Sequence, residues 1–132
     1  MIMKEINNIT IGTLGEKYTA AYLRRNGFKI IETNLRNSYS EIDIIAESKE
    51  YIIFVEVKTR TTRNEIRPVY AVTKQKQRKI ISAANEYLKF NVSNKQPRFD
   101  VSEVYLDIDN VKNYEINYIT NAYTQGGSYA VF

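Results

Sequence analysis

The chain of 132 residues contains no histidine and no cysteine. Without histidine there are no Ser-His-Asp triads, no His-ligated zinc and no paired-imidazole acid–base chemistry. Without cysteine there is neither a disulfide framework nor a thiolate metal centre, which is compatible with a reducing compartment. No apolar run approaches the roughly 20 residues that cross a bilayer. The first residues lack the basic start, apolar stretch and small-residue cleavage site of a secretion signal. A soluble, cytoplasmic protein with no membrane partner is therefore expected. Carboxylates, lysine, tyrosine and serine remain for chemistry, and their oxygens select hard cations such as Mg²⁺ or Mn²⁺ over softer metals.

What is present fits one ordinary globular domain over residues 1–132, with 43 % apolar and 26 % charged residues. Residues 1–9 read as a loose leader and 124–132 as a flexible tail. Thr10 or Thr13 is placed to cap a helix that Gly27 ends, with Leu14, Tyr18, Ala21 and Tyr22 as its apolar stripe. Phe28–Asn34 reads as a strand, followed by a hairpin over Ser40–Arg60. Pro68 marks a loop before a second helix that Thr73 caps, with Ile80, Ala84, Tyr87 and Leu88 on one face. Arg98–Leu106 and Tyr114–Ile119 complete the order αβββαββ, separated by a turn at Asp107–Asn113. That order is an α/β fold, a mixed sheet flanked by helices.

The hairpin carries the chemistry. Ile42, Ile44 and Ala46 alternate on one arm, and Ile53, Val55 and Val57 on the other. A two-residue turn at Lys49-Glu50 would set Asp43 opposite Glu56 and Glu41 opposite Lys58, on one face. Like charges directly opposed on a sheet destabilise it. Two readings follow from the pattern. Asp43 and Glu56 share a divalent cation, with Lys58 beside them; or all four lie on a solvated surface where Glu41 and Lys58 form a weak ion pair.

Charge is unevenly placed. From Lys58 to Lys79 there are eight basic residues and one acid, a net +7 that leaves −3 for the rest of a +4 chain. A basic run that begins at the acidic cluster is the footprint of a phosphate-backbone binder. Arg60, Arg63, Lys74 and Arg78 are the candidate phosphate contacts, arginine offering a bidentate fork and lysine a point charge. Arg98 and Asp100, two apart on one strand, read as a structural pair.

Asp43, followed after twelve residues by Glu56-Val57-Lys58, resembles the PD-(D/E)XK signature of restriction-endonuclease-like nucleases. The ordered set GTLGEKYTAAYL (12–23), EIDII (41–45), FVEVKTR (54–60), Lys74-Gln75, RFDV (98–101) and NAY (121–123) is similar to the YraN family, itself similar to Holliday-junction resolvases. The resemblance spans roughly residues 12–123. Ser40 departs from it, standing where relatives usually carry glycine. The resemblance implies a restriction-endonuclease-like fold and favours the shared-cation reading. It implies one or two Mg²⁺ or Mn²⁺ ions held by Asp43, Glu56, the helix-borne Glu16 and the Val57 carbonyl. Lys58 would position the attacking water and stabilise charge on the phosphate. Glu41 and Gln75 would play supporting parts. A DNA phosphodiesterase acting at branched structures is expected, and the resemblance to resolvases, which pair as dimers, extends to a homodimer; the alternatives are a non-catalytic nucleic-acid-binding module of the same fold and a protein-interaction domain.

Overall fold

The computed structural model describes residues 8–62 and 72–125. Its elements are α1 (Asn8–Arg25), β1 (Lys29–Arg36), β2 (Glu41–Glu47), β3 (Tyr51–Thr62), α2 (Lys74–Phe90), β4 (Gln96–Asp107) and β5 (Asn110–Tyr123). This is the αβββαββ order that the periodicities predict. The five strands form one sheet in sequential order. All neighbours run antiparallel except β3 and β4, which are parallel and joined through α2. Among the described residues no helix is long and apolar enough to cross a membrane.

Both faces of the central strands are apolar, and each receives a helix. Ile44, Ala46, Ile53 and Val55 pack with Ala20 and Leu23 of α1. Ile45, Ile52, Phe54, Phe99 and Val101 pack with Ile80, Ala83 and Ala84 of α2. Consecutive residues of β3 thus alternate between the two cores, as a pleated strand requires.

α1 contains Asn8 and Ile9, so neither Thr10 nor Thr13 caps it, and these two residues of the expected leader are helical. Its buried face is also rotated from the Leu14–Tyr18–Tyr22 stripe. Gly15, Thr19, Ala20 and Leu23 are buried, whereas Tyr18, Ala21 and Tyr22 are half-buried. Gly15 lets the helix approach β3 so closely that a Cβ there would overlap Thr59, and Thr19 shares a 2.8 Å hydrogen bond with Ser102 inside the core. A hydrophobicity stripe cannot register a glycine contact or a buried hydroxyl pair. Gly27 ends the helix as expected, at φ 88°, with Phe28 N bonded to Leu23 O and Gly27 N to Arg24 O.

The strands outrun their predicted ends where pairing sustains them. β3 continues to Thr62 because β4 pairs with it in register from Tyr51–Gln96 to Thr62–Asp107. The Asp/Asn-rich segment is a tight hairpin, not a seven-residue turn. Asp107 Oδ1 accepts from Asp109 N at 2.8 Å and Asn110 Oδ1 from Lys112 N at 3.2 Å, so the side chains make the turn and β5 starts at Asn110. At the other end β5 reaches Tyr123, which is buried and stacked on Phe99. The start of the expected leader and the tail from 126 onward lie outside the described residues.

Candidate functional site

The β2–β3 turn has the predicted length. Ser48 N donates to Tyr51 O at 2.8 Å around Lys49-Glu50, and Ser48 Oγ accepts from both Glu50 N and Tyr51 N. The register that follows is the expected one, from Glu47–Ile52 to Ile44–Val55. There the paired ladder stops. Asp43 turns its carboxylate into the position of a ladder acceptor, and Oδ2 receives Val57 N at 2.8 Å. The alternation slips at the same place: Ile42 joins Ile45 in the α2-side core while Ile44 and Ala46 face α1. The expected oppositions of Asp43 to Glu56 and of Glu41 to Lys58 are therefore not built by this ladder. Glu41 is instead the cross-strand partner of Arg36 on β1, with a 3.5 Å ion pair. A period-two pattern carries no sign of a strand whose side chain replaces its own backbone pairing.

Electrostatics gather four acids around this break. Burial pushes the Asp43 carboxyl up to about 7; the Val57 N–H opposes the rise, and Glu56, Glu16 and Glu41 add to it. Glu16 is also raised, by burial and by Glu41, against a hydrogen bond from Asn34. Three elements thus contribute: α1 (Glu16), β2 (Glu41 and Asp43) and β3 (Glu56). Gly15 is the device that brings α1 close enough for its neighbour Glu16 to take part. Asn34, the left-handed residue of β1 at φ 52°, is a site residue the sequence did not signal.

Lys58 lies on the α2 side of β3. Phe54 and Phe99 pair in register and face the α2 core, so Glu56, Lys58 and Arg60 continue that face on β3, as do Val101, Glu103 and Tyr105 on β4. Each rung extends to β5, where Glu103 pairs with Asn117 and Tyr105 with Glu115. Glu103 is only 5 % exposed and accepts from Asn117 Nδ2 at 2.8 Å and Tyr105 Oη at 3.4 Å. It is the second site residue that sequence reasoning missed. Its one available signal was a charge on the strand face that Phe99, Val101 and Tyr105 share; its place beside Lys58 depends on a parallel register no local pattern encodes.

The remaining basic and polar candidates divide. Arg60 is half-buried on the same strand face as Lys58. Lys74, Gln75 and Arg78 are exposed on the first turns of α2, whose Thr73 cap accepts from Lys76 N at 3.1 Å. Arg63 lies outside the described residues. Arg98 and Asp100 form a bidentate pair at 2.9 and 3.0 Å, with the guanidinium between the rings of Phe28 and Tyr51. That part of the RFDV motif is structural.

A family model described as Uncharacterised protein family UPF0102 matches residues 15–104. The chain is 45 % identical over 122 residues to a UPF0102 protein of Caldanaerobacter subterraneus subsp. tengcongensis, covering 92 % of this chain and all of the relative. A UPF0102 protein of Clostridioides difficile is 44 % identical over 119 residues, 89 % of this chain and all of that one. One from Clostridium beijerinckii is 40 % identical over 122 residues, 92 % and 98 % of the two chains. The chain belongs to family UPF0102. This is the YraN family that its motifs resemble. The matched span of the UPF0102 model begins at the Gly15-Glu16 pair and contains every acid of the site.

The oxygen donors suit a hard cation. Asp43 Oδ1 accepts no hydrogen bond among the described residues, whereas Oδ2 is occupied by Val57 N–H. A divalent ion beside Asp43 would oppose the burial that chiefly raises its pKa and the acids that add to the rise. Among the described residues no three acids converge into a ready-made cage; the oxygen groups around Asp43 that could hold a cation are Glu56 and the Val57 carbonyl on β3 and Glu16 on α1.

Proposed function

We propose that this UPF0102 protein is a metal-dependent nuclease-like enzyme that hydrolyses DNA phosphodiester bonds. The observation that carries the reading is Asp43: a carboxyl group desolvated beside three other acids, at the place where the β2–β3 ladder ends and its side chain takes the Val57 N–H. Such crowding costs stability in the absence of a counter-charge, and perturbed carboxylates of this kind concentrate at functional sites. Mg²⁺ or Mn²⁺, when bound, supplies Lewis-acid polarisation of the phosphate and a water of lowered pKa. Asp43 and Glu56 would hold the ion, with Glu16 and the Val57 carbonyl completing the oxygen set. Lys58, on the Glu56 face, places positive charge where the phosphate oxygens gain negative charge. The basic first turns of α2, with Lys74 and Arg78 exposed, and Arg60 on β3 provide the phosphate-backbone contacts.

The test is a cleavage panel of purified protein on linear, flapped and four-way DNA with Mg²⁺, Mn²⁺ or EDTA, together with Mn²⁺ calorimetry on wild type and Asp43→Asn. Metal-dependent cutting that Lys58→Ala abolishes, with DNA affinity largely kept, is expected. Mn²⁺ binding should be lost in Asp43→Asn. Equal Mn²⁺ binding by both proteins would remove the two-carboxylate site. Tight DNA binding with no cleavage of any substrate would make this a non-catalytic binding module of the same fold.

A further inference from the structure

Of the nine tyrosines among the described residues, eight are buried or half-buried and one is exposed: Tyr39, at 51 %. It sits in the β1–β2 turn, between Arg36 and Glu41. A single exposed ring is ordinary on a protein surface. Three further observations set this one apart.

The turn is fixed. Asn37 N donates to Ser40 O at 3.1 Å, and Asn37 Oδ1 accepts from Tyr39 N at 3.0 Å and from Ser40 N at 3.4 Å. Asn37 Nδ2 then donates to Ala83 O, anchoring the turn to α2. The backbone that carries the ring is pre-organised, so little order remains to be imposed when something binds it. The location is also specific. Tyr39 is four residues from Asp43, so their Cα atoms are within about 14 Å. Its anchor is on the α2 side of the sheet, the side on which Glu56, Lys58 and Arg60 lie. Lys79, exposed and one turn before Ala83 on α2, adds positive charge nearby. Finally, the ring is available: among the described residues its face has no aromatic or cationic neighbour and its hydroxyl no hydrogen bond.

A rigidly held, exposed aromatic beside basic residues and a phosphodiesterase-type acid cluster is the arrangement that receives an unpaired base. Stacked bases inside a duplex offer no free face, whereas a base at a fork, gap or strand end does. We propose that Tyr39 is a base-stacking residue that makes this site select nucleic acid with unpaired bases next to the phosphate under attack. The proposal rests on the nucleic-acid reading above and specifies its substrate class.

The chain has no tryptophan, so Tyr39→Trp is a single-tryptophan reporter. In EDTA, to prevent cleavage, the full-length variant is titrated with a forked DNA and with a blunt duplex of equal length. Stacking quenches the indole, so quenching by the fork and little by the duplex is expected. By fluorescence anisotropy of labelled DNA, the preference of wild type for fork over duplex should fall about five- to hundredfold in Tyr39→Ala and survive in Tyr39→Phe. Equal quenching by both DNAs, or an unchanged preference in Tyr39→Ala, overturns the stacking role while leaving duplex binding, and the nuclease reading, standing. If wild type binds neither DNA, the nucleic-acid reading itself falls and the proposal with it.

Discussion

Two aspartates on neighbouring parts of this sheet show how differently a folded chain can treat the same side chain. Asp100 of β4 is fully buried and receives hydrogen bonds from Arg98 Nε and Nη2, from Tyr118 Oη at 2.6 Å and from Asn121 N at 2.8 Å. Every lone-pair direction has a donor, and one of the donors is a cation. Burial and the carboxylate together push the Tyr118 phenol far up, which keeps it a donor. Asp43 of β2 is half-buried, receives one backbone N–H, and has Glu56, Glu16 and Glu41 as its charged surroundings. At Asp100 the fold supplies all that a buried charge needs; at Asp43 it supplies neighbours of the wrong sign. The first arrangement holds three segments together. The second is stable only at a cost that some other component has to offset.

The largest expected effect lies on the structural side. Asp100→Ala leaves the Arg98 guanidinium, wedged between Phe28 and Tyr51, without its carboxylate, and frees the Tyr118 hydroxyl and the Asn121 amide. Removal of one partner of a buried pair costs about 3–5 kcal/mol, read as a lower urea midpoint. A loss under about 1 kcal/mol would put the pair in the class of surface ion pairs and dissolve the contrast with Asp43.

Next in size is Gly15→Ala. In an exposed helix this change would gain up to about 1 kcal/mol. Here the new Cβ would overlap the Thr59 side chain, so α1 must move off β3, at about 1–3 kcal/mol for overpacking. Because Glu16 follows Gly15, the same shift draws an acid away from Asp43. Both effects are readable: the urea midpoint falls, and the Asp43 carboxyl resonance titrates lower than in wild type. A stable variant with an unmoved Asp43 titration would show that α1 does not shape the acid cluster.

Asp43→Asn should act in the opposite direction to Asp100→Ala. A carboxyl raised from 3.8 to about 7 in the folded state holds its proton more tightly there than in the unfolded chain. Its contribution to stability is full below about pH 4 and is lost as the pH rises through 7. The neutral amide keeps an acceptor for Val57 N–H and never ionises. The variant should therefore be more stable than wild type at pH 8, by about 1–2 kcal/mol once solvent screening of a half-buried group is allowed for, and the gain should vanish near pH 4. Urea unfolding at the two pH values measures it. A variant less stable at both would mean that Asp43 is structural in the manner of Asp100.

How much of this was legible follows from the range of each interaction. Element order and the Lys49-Glu50 turn depend on periodicity and local chemistry, and both were readable. Asp43, Glu56 and Lys58 were locatable because two short strands and one turn set their spacing. The end of the β2–β3 ladder at Asp43 was not readable, because a carboxylate replacing a ladder acceptor leaves the alternation of residue types untouched. Glu103 and Asn34 escaped for another reason. The first reaches Lys58 only through a parallel register set by a crossover helix, and the second reaches Glu16 only after α1 folds back over β1. Gly15 and Thr19 were passed over because small and polar residues do not count toward an apolar stripe, although they decide how closely α1 lies on the sheet.

The smallest expected effect tests whether the two aspartates also differ toward a ligand. Binding of a duplex is measured in EDTA across a salt series. Arg78→Ala, removing one exposed cation from the first turns of α2, should weaken affinity and flatten the dependence of log K on log salt by about one unit if it meets a phosphate. Asp43→Asn removes a negative charge from the same surface without removing a contact. It should raise affinity about twofold to fivefold, as expected for a modest interaction between partly exposed charges, and leave the slope unchanged. The Arg98–Asp100 pair serves as the reference: the double variant Arg98→Gln/Asp100→Asn removes a buried pair without changing net charge and, at a temperature where it stays folded, should leave both quantities unchanged. Should Asp43→Asn behave like that reference, the field of the acid cluster does not reach a bound phosphate backbone, and the site would have to be sought elsewhere on the sheet.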